Sequence, residues 1–139
     1  MLRVAFASND RHRVNQHFGA AEGFAIYAID GERAQLIEIA EFASQPMDGN
    51  ENRLPAKIAA LAGCAAVYCL AAGASAVKQL IAAGVQPVRL DDEAEIEPLL
   101  KEIGLAIREG GIPWVDKAIH AQPADQARFD RMLEEGWDE

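Results

Sequence analysis

Leu54-Pro55-Ala56-Lys57-Ile58-Ala59-Ala60-Leu61-Ala62-Gly63 runs without a break into Cys64-Ala65-Ala66-Val67-Tyr68-Cys69-Leu70. In the first part Leu54, Ile58, Leu61 and Ala62 recur at helical spacing, Pro55 fits a first-turn position and Gly63 a C-terminal stop. The second part reads as a buried strand. A helix that feeds directly into such a strand is half of a crossover, and the other half follows at once. Ala71-Ala72-Gly73 turns the chain, Val77, Leu80 and Ile81 stripe the segment Ala74 to Ala83, Gly84 ends it, and Val85 to Leu90 is the next strand.

Working outward, Leu2 to Ser8 is an apolar run that ends in Asn9-Asp10, as a buried first strand entering a loop would. Glu22 to Ile29 and Arg33 to Phe42 are extended runs joined by Asp30-Gly31, a strong signal for a tight antiparallel hairpin. Ser44 to Asn52 reads as an exposed loop. Downstream, Glu93 to Arg108 carries Ile96, Leu99, Leu100, Ile103 and Ile107 on one side and Glu95, Glu97, Lys101 and Glu102 on the other, a third helix. Two crossovers after a hairpin predict an α/β fold: three layers, α/β/α, about a mixed five-stranded sheet. Gly110-Gly111 closes that part, so residues 1–111 are expected to form the domain and 112–139 an acidic C-terminal tail. From Asp116 onward seven acidic residues face three basic ones, and Trp114, Phe129 and Trp137 are its candidate docking anchors, with Trp114 equally suited to staple the tail onto the domain.

The chain has 139 residues, 22 acidic against 13 basic, and a formal charge of -9, which argues against nucleic acid as a partner. With 50% hydrophobic but only 6% aromatic residues the core must be mainly aliphatic. No start resembles a signal peptide and no apolar run reaches the roughly 20 residues of a membrane span, so no membrane contact and a cytoplasmic location are expected. Two cysteines are too few for a disulfide scaffold or a four-cysteine metal site. On one strand Cys64 and Cys69 would stand about 16 Å apart. Their odd separation would aim them at opposite faces of the sheet.

In open α/β sheets ligands gather beyond the carboxyl ends of the parallel strands. Two loops leave such ends, Asn9 to Ala21 and Ala71 to Ser75, and together they would form one rim. The first concentrates Arg11, His12 and Arg13, then Asn15, Gln16 and His17. The second offers a helix N-terminus at Gly73-Ala74-Ser75, which favours an anion, although no Gly-Lys-Ser/Thr follows to make it a phosphate loop. A neutral imidazole at His17 is able to ligate a transition metal, against the plainer role of a solvated loop histidine. Cys69 at the strand exit is either a soft ligand or a small buried hydrophobe. No nucleophile with a base, carboxylate pair or nucleotide fingerprint stands out, and Asp10 suits a turn, so the chain reads as no enzyme.

Val4-Ala5-Phe6-Ala7-Ser8-Asn9-Asp10, Val14-Asn15-Gln16-His17-Phe18-Gly19-Ala20-Ala21, the stretch from Leu54 to Tyr68, Gly73-Ala74-Ser75-Ala76, Gly84-Val85-Gln86-Pro87-Val88 and Gly111-Ile112-Pro113-Trp114 occur in that order. Together they resemble the nitrogenase accessory proteins that bind iron-molybdenum cofactor and its precursors, the NifX-type branch in particular. The resemblance implies a ribonuclease-H-like domain that carries a metal cluster without making it. Its cargo would be iron-molybdenum cofactor or its iron-sulfur precursor, supplied by NifB and exchanged with the NifEN scaffold. The histidine of His-Phe-Gly is the implied ligand, which falls on His17. Relatives with an additional N-terminal helical domain act at apo-dinitrogenase; a chain that opens on its first strand is expected to differ from them. The expected site comprises His17 as metal ligand with Arg11, Arg13, Asn15, Cys69, Gly73 and Ser75 around it. The rival is a metal-free regulatory or interaction module of the same fold.

Overall fold

Strand β1 (Leu2–Ala7) sets the layout because, past the exposed Arg3, neither of its faces meets water. Leu2, Val4 and Phe6 enter one core and Ala5 and Ala7 the other. The computed structural model describes residues 1–42 and 50–120, leaving aside the side chains of 50–53. After β1 come β2 (Arg13–Val14), β3 (Gly23–Ile29), β4 (Ala34–Glu41), α1 (Asn50–Ala60), β5 (Ala66–Cys69), α2 (Ala74–Ala82), β6 (Gln86–Arg89), β7 (Ala94–Glu95) and α3 (Ile96–Glu109). Residues 113–120 are again helical.

The main sheet runs β4-β3-β1-β5-β6. Strands β1 and β3 pair antiparallel, as do β3 and β4, whereas β1 with β5 and β5 with β6 are parallel. The α/β expectation and its mixed five-stranded sheet therefore hold. On one face Ile58 of α1 and Ala76 and Leu80 of α2 pack with Phe24, Ile26 and Val67. On the other, Ile96, Leu99 and Ile103 of α3 pack with Phe6 and Tyr68, whose rings stack at 5.2 Å.

Several local expectations are corrected. Helix α1 begins at Asn50, so Pro55 lies inside it and the expected loop ends earlier, with 43–49 outside the described residues. A proline inside a helix forfeits one backbone bond, and the packed Leu54 and Ile58 hold this one against the core. Cys64 and Cys69 share one core instead of facing opposite ways. Strand β5 starts only at Ala66, so strict alternation does not reach Cys64. The hairpin connection is longer than an Asp-Gly pair, running from Asp30 to Arg33, with the Asp30 Oδ1 accepting the Glu32 and Arg33 N–H groups at 2.7 and 2.6 Å. Gly31 is small there for a packing reason: a Cβ would sit 2.7 Å from the Arg108 Cγ. Finally, β2 and β7 form a small second sheet.

Packing also continues past Gly111. Val115 has no exposed surface and belongs to the α3-side core, with Ile112, Trp114, Ala118 and Ile119 packed against it. The Trp114 ring meets Tyr68 edge-on at 6.2 Å, so it fastens this segment to the sheet. The remainder of the expected tail, 121–139, with Phe129 and Trp137, lies outside the described residues.

Replacing Val115 with Ala is expected to cost about 2 kcal/mol, from the lost transfer energy of the buried methyl groups plus the cavity they leave. Urea unfolding measures it. An unchanged midpoint would make 112–120 a mere appendage.

Candidate functional site

The loop after β1 is organised by its own polar side chains. Ser8 is buried; its Oγ donates to the Asp10 Oδ1 at 3.1 Å and accepts the Arg11 N–H at 2.8 Å. The same Asp10 oxygen accepts the His12 and Arg13 N–H groups at 2.8 and 2.9 Å. These backbone donors, led by that of His12, hold the Asp10 carboxyl below its ordinary range. With its N–H satisfied by Ser8, Arg11 adopts a left-handed φ of 68°. Asn9 and Asn15 close the loop: the Asn15 Nδ2 donates to the Asn9 Oδ1 at 2.8 Å and the Asn9 N–H to the Asn15 Oδ1 at 3.1 Å.

Backbone bonds stitch this loop to the one after β5. The Leu70 N–H donates to the Gln16 carbonyl at 3.0 Å and the Phe18 N–H to the Ala71 carbonyl at 2.7 Å. His17 lies between these two tethers and is exposed, while Phe18 beside it is fully buried, 5.4 Å from the Phe24 ring. Gly73 and Ser75, at the start of α2, are exposed on the second loop, and the Ser75 Oγ accepts the Gln79 Nε2 at 3.2 Å. The expected rim thus forms.

Other expected members are placed elsewhere. Arg11 and Arg13 line a groove of about 1120 Å³ between the Asp30–Arg33 turn and α3, and its lining includes neither His17 nor Gly73. Arg11 also pairs with Glu41 at 2.8 Å. Both partners of that pair are more than half exposed, so it contributes at most about 1 kcal/mol. Asn15 spends both ends of its amide on Asn9. Cys69 has no exposed surface, and burial pushes its thiol up to about 11; Cys64 rises to about 11 for the same reason. Lys57, not singled out from the sequence, is 2% exposed and donates to the Gly19 carbonyl at 2.6 Å, on the same loop as His17. Its signal was its spacing, three residues after Leu54 and four before Leu61, on the apolar stripe of α1.

Among the described residues no three His, Cys, Asp or Glu side chains gather to hold a metal ion. Where the two loops meet, the rim offers the accessible imidazole of His17 on a backbone tied down at both sides. Such a group supplies one ligand to a metal species that brings its other ligands with it.

Residues 1–104 match the family model described as dinitrogenase iron-molybdenum cofactor. The chain belongs to that family. It is 50% identical over 140 residues to Protein NifX of Azotobacter vinelandii, covering 100% of this chain and 89% of that protein. Protein NifX of Klebsiella pneumoniae is 33% identical, with 96% and 82% covered. The chain also resembles a portion of the FeMo cofactor biosynthesis protein NifB of Frankia alni, at 35% identity over 75% of this chain and 21% of NifB. Among solved structures, the crystal structure of PH0822 superposes with a TM-score of 0.55 at 23% identity, covering 74% of this chain and 88% of the other, a likeness of fold. Within this iron-molybdenum cofactor family the chain is of the NifX type.

Two outcomes follow for the site. The Asp10 carboxyl is lower in the folded than in the unfolded chain, so its contribution to stability is full above the unfolded value of about 4 and is lost as pH falls through the folded value. The protection of the His12 and Arg13 amides, measured as the exchange rate relative to the intrinsic rate at each pH, is expected to fall over that acid window, and Asp10→Ala to show the lowered protection at neutral pH. Both cysteines are expected to resist iodoacetamide at pH 8 in the native protein and to react in urea. Rapid native labelling of Cys69 would mean that the rim opens onto it.

Proposed function

We propose that this protein is a non-catalytic cytoplasmic carrier in nitrogenase cofactor biosynthesis. It binds iron-molybdenum cofactor or its iron-sulfur precursor as cargo, takes it from NifB and exchanges it with the NifEN scaffold. Membership of the family supports the cargo class. The observation that carries the reading is His17, exposed and held between two backbone tethers on the rim. A cluster already holding its sulfides needs few protein ligands, and a single attachment permits release. Gly73 and Ser75 border the same rim, whereas Arg11 and Arg13 sit on the neighbouring groove and act on an anionic cargo through their charge. The sheet order, with its second strand in sequence antiparallel to the first, supports a ribonuclease-H-like assignment.

The test is anaerobic incubation with isolated precursor cluster followed by gel filtration. Iron is expected to comigrate with the wild-type protein and to be largely lost from His17→Ala, whose stability should stay within about 0.5 kcal/mol as for an exposed substitution. Failure of iron to comigrate with the wild-type protein refutes the carrier, and full retention by the variant removes His17 from the site.

A further inference from the structure

Lys57 is the one charged side chain among the described buried residues; the other buried polar residue is Ser8. It projects from α1 into the core that Phe18, Phe24 and Leu61 share. Burial of an amine is expensive unless polar partners compensate it. Two of its contacts are the Gly19 carbonyl, at 2.6 Å, and the Phe42 ring, whose centroid lies 5.8 Å from the Nζ. These contacts close a circuit about the segment that bears His17. Phe18 packs on Phe24 at 5.4 Å, Phe24 meets Phe42 edge-on at 5.7 Å, Phe42 faces Lys57, and Lys57 returns to the carbonyl two residues beyond His17.

The backbone around His17 is therefore held at three points, on Leu70, on Ala71 and on Lys57. The first two belong to the neighbouring loop. Only the third comes from a side chain, and it fastens the loop to a helix on the sheet face. Without it the Gly19 carbonyl must find another donor, and the segment from Phe18 to Ala21, whose turn is closed by the Ala21 N–H on the Phe18 carbonyl at 3.3 Å, loses its anchor. We infer that Lys57 is a positioning residue: through the Gly19 carbonyl it sets the presentation of the His17 imidazole at the rim. This rests on the carrier reading for its purpose, but the positioning itself is measurable without cargo.

The experiment compares Lys57→Met and Lys57→Arg in the full chain. In the apo protein, Lys57→Met is expected to shift the His17 ring resonances in heteronuclear NMR while leaving those of His12 in place. With isolated iron-sulfur precursor, it is expected to lower cluster affinity about tenfold or more, as loss of a group that orients a ligand commonly does. Lys57→Arg, which keeps a long cationic donor, is expected to restore both readouts. A purely structural role would instead lower the thermal midpoint and leave His17 resonances and the affinity of the folded fraction unchanged; that result overturns the inference. Lys57→Gln, one atom shorter and uncharged, takes the place of Lys57→Met should the latter not fold. If the wild-type protein takes up no cluster, the carrier reading fails while the NMR comparison still decides whether Lys57 positions His17.

Discussion

Strand β1 is buried on both faces, and most of the molecule follows from that constraint. A strand with Phe6 on one side and Ala5 and Ala7 on the other has to be covered twice, so helices are required on both faces of the sheet. Pairing β1 parallel to β5 and antiparallel to β3 places it at the centre. The parallel pair matters most for function, because parallel neighbours deliver their outgoing loops to the same edge. The loops after β1 and β5 meet there and bond to one another through Gln16, Phe18, Leu70 and Ala71. The rim is a consequence of how the central strand is buried.

That rim illustrates how backbone accounting shapes a site. The polar residues between Ser8 and Gln16 are rich in donors and acceptors, yet most of that capacity is spent inside the loop: Asp10 on two amides, Asn15 on Asn9, and the Gln16 Oε1 on the Glu22 N–H at 2.8 Å. Irregular backbone needs such partners wherever it lacks a ladder. What remains uncommitted faces solvent, and His17 is held there because Phe18, its neighbour, is driven the other way into the core.

The legible parts of the fold were those with long periodic signals. The stripe Ile96, Leu99, Ile103 and the change of period at Leu54 gave helices, and the apolar runs around Val4 and Val67 gave the central strands. Two-residue strands such as Arg13–Val14 and Ala94–Glu95 carry no period, so the second sheet was invisible. The spacing of Ile112, Val115 and Ile119 is helical, a signal that the reading of 112–139 as an acidic tail leaves unused; in the structure Pro113 simply opens a helix. His17 is legible from a resemblance and from its loop, whereas Lys57 is not, because a lysine is rarely interior and nothing local marks this one as buried. Whether Arg11 points along the rim or across to Glu41 depends on side-chain partners 30 residues apart, which no local pattern encodes.

For an acidic chain, the proposed anionic cargo raises an electrostatic question that distance resolves. The net charge of -9 is spread over the molecule, and at physiological salt charges farther than about 8 Å are largely screened. What a cluster at His17 senses is therefore local. Exposed cations in that neighbourhood are screened by the same salt and serve chiefly to steer encounter. Lys57, 2% exposed, meets that loop through its bond to the Gly19 carbonyl, a contact that solvent salt does not reach. A net negative charge spread over the molecule is thereby compatible with the proposed anionic cargo at the rim.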